Sequence, residues 1–117
     1  MMKNTHEFYP ELIAGLPEAD IPFNGVRGWL LQGTDHQLVF FEIEPIGEVA
    51  EHSHGAQWGT VLDGELELTI GGITKTYIKG DSYFIPAGTL HSAVVGKQTR
   101  VIDFFADKNR YEVKQDA

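Results

Sequence analysis

The chain has 117 residues and a mass of 13.0 kDa, the usual size of one domain, so a cleft between two full domains is excluded. Its 9 basic and 17 acidic residues give a formal charge of −8, which opposes binding to phosphate backbones and to anionic lipid surfaces. Because cysteine is absent, disulfides, thiolate nucleophiles and Cys-ligated metal centres are excluded. We therefore expect one soluble domain with no nucleic-acid or membrane partner, in which any metal uses nitrogen and oxygen ligands.

Residues 1–25 are predicted to form an irregular N-terminal arm. Pro10, Pro17 and Pro22 interrupt any long helix, although residues 11–16 can form one short turn. The first ten residues lack the apolar core of a signal peptide, and no run approaches the ~18 apolar residues of a membrane span. These features predict a cytoplasmic protein.

From Val26 onward the apolar residues alternate or form short clusters, which is typical of β-strands. Residues 26–106 are therefore assigned to one β-domain, followed by a C-terminal tail over residues 107–117. Glycine-rich turns separate the strands, and Asp63-Gly64 is interpreted as a type I′ hairpin turn. Short strands with tight turns predict an all-β antiparallel fold, either a closed barrel or two facing sheets. The eight predicted strands are residues 29–32, 37–44, 57–62, 65–70, 73–78, 82–85, 91–95 and 99–105. The glycines expected to need a positive φ are Gly47, Gly64, Gly71, Gly72, Gly80 and Gly88.

Three of the five histidines lie in two short segments whose turns fix the direction of their side chains. His52 and His54 share one face of an extended segment, because side chains at i and i+2 point to the same side. Gln57 begins the next predicted strand and places another donor beside this pair. His91 opens the strand after the rigid turn at Pro86. Imidazoles that face one point are what a single metal ion requires.

The second of these segments resembles the second motif of the cupin superfamily, in its small single-domain form. That motif is Gly, five residues, Pro, one residue, Gly, two residues and His. It matches this chain at Gly80, Pro86, Gly88 and His91, and Val95 stands where the family often has asparagine.

The first segment resembles the first motif of the same family, with small departures in spacing. His52, His54 and Gly64 match, whereas Gly47 is one residue too close and the loop between His54 and Gln57 is one residue short. Gln57 occupies the position where the family usually has a glutamate ligand. The resemblance covers residues 42–105.

This resemblance implies an antiparallel jelly-roll β-barrel in which His52, His54, Gln57 and His91 bind one divalent transition metal. Iron, manganese, nickel, zinc and copper all occur in such proteins, and homodimers are common among them. Because a glutamine replaces a carboxylate, the site is one charge unit more positive, so we expect a reduced metal and an anionic ligand such as an enolate or carboxylate. Metal-ligating histidines must be neutral, so metal is expected to dissociate below roughly pH 6.5.

Two classes of function fit these observations. The first is a metalloenzyme, either a dioxygenase, an isomerase or a lyase, that acts on a small oxygenated substrate by Lewis-acid or dioxygen chemistry. The second is a non-catalytic module that binds or senses a small ligand and needs a partner protein, because the chain has no helix-turn-helix. No convincing general base accompanies the histidines, and no catalytic residue is assigned. Arg27 and Arg100 are candidates for contacting a substrate carboxylate only if they point inward.

Structural interpretations compete with each functional one. His6 and His36 are assigned to the surface, and Gln57 has the alternative of hydrogen-bonding a neighbouring strand. The aromatic pairs Phe40-Phe41 and Phe104-Phe105 present one ring to each face of a strand, so half of these rings can line a pocket beside the metal. The strand aromatics are otherwise assigned to the core and to a dimer interface.

Overall fold

Two antiparallel β-sheets face each other in the computed structural model, which describes residues 8–115. The one short helix of this part of the chain is α1 (Glu11–Ala14). The strands are β1 (Val26–Gln32), β2 (Gln37–Ile43), β3 (Gly47–His52), β4 (Gln57–Asp63), β5 (Glu65–Ile70), β6 (Ile73–Ile78), β7 (Ser82–Ile85), β8 (His91–Val95) and β9 (Thr99–Phe105). The sheets have the strand orders β1-β2-β9-β4-β7 and β3-β8-β5-β6. The predicted all-β jelly-roll architecture is confirmed, in its form of two facing sheets.

Strand β3 is the one strand of the described chain that the sequence pattern does not predict. Its residues are exposed or half-buried along its whole length, so there is no alternation of apolar and polar side chains to reveal it. It pairs with β8, and the register shifts between Val49 and His52. This irregularity lies directly before the histidine segment.

The turns confirm one part of the glycine prediction and correct another. All six glycines expected to have a positive φ do so. The hairpin expected at Asp63-Gly64 is wrong, because β4 belongs to the five-stranded sheet and β5 to the four-stranded sheet. The chain crosses between sheets at Gly64, where a Cβ atom would lie 2.5 Å from the carbonyl oxygen of Gln98. The hairpin turn with two positive φ angles is instead Gly71-Gly72, which joins β5 to β6.

The hydrophobic core fills the space between the two sheets. Strand β2 shows the expected period of two, with Val39, Phe41 and Ile43 buried and the intervening side chains half-buried. Strand β5 follows the same rule, because Leu66 and Leu68 face the core while its glutamates face solvent. The core is completed by Leu30, Val61, Tyr83, Ile85, Val95, Val101 and Phe105.

Both ends of the described chain pack against the sheets. Tyr9 is buried on the outer face of the five-stranded sheet, where its hydroxyl donates a 2.7 Å hydrogen bond to the carbonyl oxygen of Phe41. Ala19 and Val113 form an isolated antiparallel bridge. The expected short turn in residues 11–16 is α1, and no helix within residues 8–115 is long and apolar enough to cross a bilayer.

Candidate metal centre and its cavity

Strand pairing brings the three histidines of the two segments together. His52 ends β3 and His91 begins β8, and the two residues are direct partners in the antiparallel pairing. His54 lies in the loop that leads into β4. The ring centroids are 4.3 to 5.3 Å apart, and one nitrogen from each ring lies within 4.8 Å of the other two. This spacing suits three ligands of one ion.

Local hydrogen bonds fix the tautomer of all three rings. Each Nδ1 lies 2.9 Å from a backbone carbonyl oxygen close in sequence: that of Ala50 for His52, Gly55 for His54 and Thr89 for His91. Because a carbonyl oxygen only accepts, each Nδ1 donates, and Nε2 of the neutral ring keeps its lone pair. The Nε2 atoms of His54 and His91 are buried and have no hydrogen-bond partner among residues 8–115.

Burial keeps two of these rings neutral. It lowers the pKa of His54 to about 4, and although the hydrogen bond with Gly55 opposes this shift, the positive charge of Arg110 adds to it. The pKa of His91 is also lowered, mainly by burial and further by its proximity to His52 and Arg110. A neutral imidazole is the state that binds a metal, so both rings are ready to act as ligands at neutral pH.

The two histidine segments are also tied to each other through the backbone. Gly88, in the turn before β8, donates a 2.8 Å hydrogen bond from its N–H to the carbonyl oxygen of His54. On the other side of this loop, Asp107 accepts a 2.8 Å hydrogen bond from the N–H of Gly55. A Cβ atom at Gly55 would overlap the carboxylate of Asp107, so glycine is needed there for this contact.

Gln57 lines the same cavity, at the first position of β4 as predicted. Its Oε1 atom is buried and has no hydrogen-bond partner among the described residues. Its side-chain amide is hydrogen-bonded to Asp103, which favours the charged form of that carboxyl group. Since a carboxylate only accepts, the NH₂ group of Gln57 makes this contact, and Oε1 remains free to act as a ligand.

Asp103 is the acidic group beside the histidines that sequence reasoning missed. It is 5% exposed, and Tyr83 donates a 2.7 Å hydrogen bond from its hydroxyl to Oδ1. Burial raises the pKa of Asp103 to about 6, although its hydrogen bonds with Tyr83 and Gln57 oppose this shift. A signal was present in the sequence, because Asp103 shares the inward-facing positions of β9 with Val101 and Phe105.

The rings and Gln57 open into a cavity of about 100 Å³ between the two sheets. Its walls are mostly apolar, and Phe41 and Phe105 supply the inward-facing rings of the two phenylalanine pairs, as expected. The other side chains that line it include Phe23, Val26, Ile43, Val49, Leu66, Leu68, Ile85 and Tyr111. The size and the apolar walls suit a small ligand shielded from water.

Arg110 is the arginine that lines this cavity, and the sequence pattern does not reveal it. Its guanidinium lies over the rings of Tyr111 and Phe105, at 4.4 and 5.8 Å from their centroids. Its Nε atom is buried without a hydrogen-bond partner among residues 8–115. Arg110 follows the last strand, where no periodicity fixes the direction of a side chain.

The two arginines considered from the sequence have other partners. Arg27 forms a surface ion pair with Glu18 at 3.1 Å. Arg100 is buried on the outer side of the five-stranded sheet, 3.1 Å from carboxylate oxygens of both Glu42 and Asp63. Neither arginine lines the cavity.

The donor set fits a divalent transition metal. Within residues 8–115, three buried acceptor atoms without partners face the cavity, namely Nε2 of His54, Nε2 of His91 and Oε1 of Gln57. Burying such acceptors costs free energy, which a bound cation offsets. Imidazole nitrogens with one amide oxygen are ligands that first-row divalent metals accept.

Comparison with known protein families places the chain among known folds. The family described as Cupin domain matches residues 39–105, more than half of the chain. No curated protein matches the chain significantly.

Solved structures with the same architecture cover most of the chain. An RmlC-like cupin from Shewanella frigidimarina is 25% identical, with a TM-score of 0.70 over 90% of this chain and 93% of that chain. KdgF from a Halomonas species is 24% identical, with a TM-score of 0.67 over 74% of this chain and 83% of that one. An oxalate decarboxylase variant from Bacillus subtilis is 17% identical, with a TM-score of 0.68 over 79% of this chain but 28% of that one. The last two similarities show a shared fold alone.

Proposed function

The chain belongs to the cupin family, and from that premise we propose that it is a metal-binding cupin that takes a small anionic, oxygen-bearing ligand into its cavity. One observation carries this proposal. Three imidazoles, each with its Nδ1 hydrogen-bonded to the backbone, come together at an apolar cavity where buried acceptor atoms have no partner among the described residues.

His52, His54 and His91 are the proposed metal ligands through Nε2, and Gln57 is the proposed fourth ligand through Oε1. A divalent transition metal bound there would supply Lewis acidity, or redox chemistry if it is iron, manganese or copper. Asp103 acts on this site as a positioning residue, because its hydrogen bond to the Gln57 amide leaves Oε1 as the free atom.

The charge of the site supports an anionic ligand. The proposed ligands are all neutral, so they would leave the ion its full positive charge. The one carboxyl group among the described residues that line the cavity, Asp103, accepts a hydrogen bond from Tyr83 and is not a proposed ligand. Arg110 adds another positive charge at the cavity, close enough to lower the pKa of both His54 and His91. A guanidinium pairs well with a carboxylate, and the apolar walls strengthen such a pair by excluding water. We therefore assign Arg110 to the carboxylate of the ligand.

Cobalt(II) and pyruvate together test this proposal. Metal-free protein is titrated with cobalt(II) and followed by visible absorption, and pyruvate is then added as a small carboxylate probe. We expect one equivalent of cobalt to bind and its spectrum to change with pyruvate. Arg110→Gln should bind cobalt like the parent but bind pyruvate at least about tenfold more weakly, since a charged hydrogen bond contributes about 1.5–3 kcal/mol.

Arg27→Gln is the matched control, because Arg27 pairs with Glu18 at the surface and is no part of the cavity wall. It should bind cobalt and pyruvate like the parent. Equal pyruvate affinity in Arg110→Gln and the parent would contradict the assignment of Arg110, and failure of the parent to bind cobalt would contradict the metal site.

Turnover separates the two functional classes. The metal-loaded protein is assayed for dioxygen consumption and for isomerase or lyase activity on small 2-oxo and hydroxy acids. Turnover that disappears in His91→Ala supports an enzyme. Tight ligand binding without turnover supports a non-catalytic sensing module.

A further inference from the structure

The loop that carries His54 is not held by strand pairing. Residues 53–56 lie between β3 and β4, so His54 is outside the β3–β8 pairing that places His52 opposite His91. The Nε2 atom of His54 is nevertheless buried at the cavity. Contacts other than the sheet ladders therefore set the direction of this ring.

Residues that follow β9 hold this loop on one side. The N–H of Ala106 donates a 2.9 Å hydrogen bond to the carbonyl oxygen of Ala56. Oδ2 of Asp107 accepts the 2.8 Å hydrogen bond from the N–H of Gly55. The same carboxylate oxygen lies 3.9 Å from Nδ1 of His54. Asp107 thus binds the peptide group that joins His54 to Gly55, and it also lies beside the imidazole ring.

This contact explains why residue 55 is a glycine. The φ of Gly55 is not positive, so it is one that other residues also adopt. The three atoms nearest to an added Cβ at Gly55 all belong to the carboxylate group of Asp107. The space that a side chain at residue 55 would need is therefore occupied by Asp107.

The segment that carries Asp107 is itself anchored. Gln32 donates a 2.9 Å hydrogen bond from its side-chain amide to the carbonyl oxygen of Lys108. Gln37, which is 1% exposed, hydrogen-bonds both backbone groups of Tyr111, the N–H at 3.0 Å and the carbonyl oxygen at 2.8 Å. Asp107 is therefore held in place by its segment, although its own side chain is partly exposed.

We propose that Asp107 is the positioning residue of His54. Its carboxylate holds the peptide group after His54 and so keeps Nε2 directed into the cavity. Asp107 does not line the cavity, so it acts without contacting the ion. Its negative charge beside Nδ1 also offsets part of the positive charge that the imidazole gains when Nε2 binds a cation. This inference rests on the proposed metal site, in which His54 is a ligand.

The cobalt(II) affinity of Asp107 variants tests the proposal. Metal-free chains are titrated with cobalt(II) in competition with a chelator, and circular dichroism checks that each chain is folded. Asp107→Ala should bind cobalt about 10–100-fold more weakly than the parent, the usual effect of removing a group that orients a metal ligand. Asp107→Asn should lose less than about fivefold, because its amide oxygen still accepts the N–H of Gly55 and a partly exposed charge contributes little. A general loss of stability would not produce this rescue.

Asp81→Ala is the matched control. It removes the same charge and the same kind of contact, a carboxylate that accepts a 2.9 Å hydrogen bond from the N–H of Ile78, at a place outside the cavity wall. It should bind cobalt like the parent. Gly55→Ala should weaken cobalt binding as Asp107→Ala does, and the double variant should be little weaker than Asp107→Ala, because the overlapped carboxylate is gone.

The outcomes separate this inference from the metal site on which it rests. Parent-like cobalt binding in Asp107→Ala, or an Asp107→Asn variant as weak as Asp107→Ala, would overturn the positioning role and leave the metal site in place. Failure of the parent to bind cobalt would overturn the metal site and the positioning role with it.

Discussion

Replacing Gly59 with alanine perturbs the support beneath the candidate metal centre without touching any proposed ligand. Gly59 lies in β4 with its α-carbon against the buried Asp103 and Tyr83. A Cβ atom there would overlap Oδ1 of Asp103 and would lie 2.5 Å from two ring atoms of Tyr83. Either Asp103 or Tyr83 has to move.

The expected cost follows from what those two residues do. Overpacking a core position costs about 1–3 kcal/mol. Separating Tyr83 from Asp103 also removes a 2.7 Å hydrogen bond from a buried carboxyl group, a loss of about 1.5–3 kcal/mol. We therefore expect Gly59→Ala to lower the free energy of unfolding by about 3–5 kcal/mol, a large fraction of the 5–15 kcal/mol typical of a domain.

Urea unfolding of the metal-free protein at pH 7 measures this effect. At about 2 kcal/mol per molar urea, the midpoint should fall by about 2 M. Gly96→Ala is the matched control, since no heavy atom lies within 4 Å of its added Cβ and its φ is not positive, so its midpoint should stay close to that of the parent. In an Asp103→Ala background the cost of Gly59→Ala should fall by more than 1 kcal/mol, because the overlapped carboxylate is gone. A Gly59→Ala variant whose free energy of unfolding lies within 1 kcal/mol of the Gly96→Ala control would show that Asp103 and Tyr83 do not constrain this position.

Two further predictions concern buried charges. Arg100→Met should lower the free energy of unfolding by about 3–5 kcal/mol, because Glu42 loses a buried partner. Arg27→Met should lower it by less than about 1 kcal/mol, because its ion pair is at the surface. Urea unfolding of both variants compares the two losses, and equal losses would contradict the buried role of Arg100. The pKa of His54 is about 4 in the folded protein, whereas an ordinary histidine has a pKa of 6.5. Between these pH values the unfolded chain binds more protons than the folded one, so acid should destabilise the metal-free protein through His54. Asp103 has the opposite effect on the free energy of unfolding between pH 6 and 3.8, because its pKa is higher in the folded protein than in the unfolded chain. The change in free energy of unfolding from His54 or from Asp103 is at most about 3 kcal/mol. Asp103→Asn should therefore lose stability more steeply than the parent when unfolding is measured from pH 7 to 4.5, and an unchanged slope would argue against this balance.

Most of the fold can be predicted from local sequence patterns. Alternation of apolar residues located eight of the nine strands of the described chain, and the glycines marked positions that need a positive φ. Strand β3 could not be predicted in this way, because an exposed strand shows no alternation of apolar and polar residues. The hairpin predicted at Asp63-Gly64 is wrong because a hairpin turn and a crossover between sheets have the same local sequence signal. Which of the two forms depends on strand pairing: β4 pairs with β7 and β9, which are distant in sequence, whereas β5 pairs with β6.

Some residues of the candidate site can also be predicted from the sequence, and others cannot. His52, His54 and His91 can be grouped from their spacing and motif, but strand alternation does not fix the direction of His54, because this residue lies in the loop between β3 and β4. Asp103 had a signal in the alternation of β9, although its meaning depends on the approach of Gln57 from a neighbouring strand. Arg110 has no signal in the sequence, because its position depends on how the residues after the last strand fold back over the cavity.

Metal content per chain shows whether the three histidines hold a metal ion. The parent, His91→Ala and the control His36→Ala are purified anaerobically, and metal per chain is measured from manganese to zinc. We expect close to one equivalent of one transition metal in the parent and in His36→Ala, and little in His91→Ala. A parent that holds no metal and takes none up on reconstitution, or a His91→Ala variant that keeps a full equivalent, would contradict this expectation.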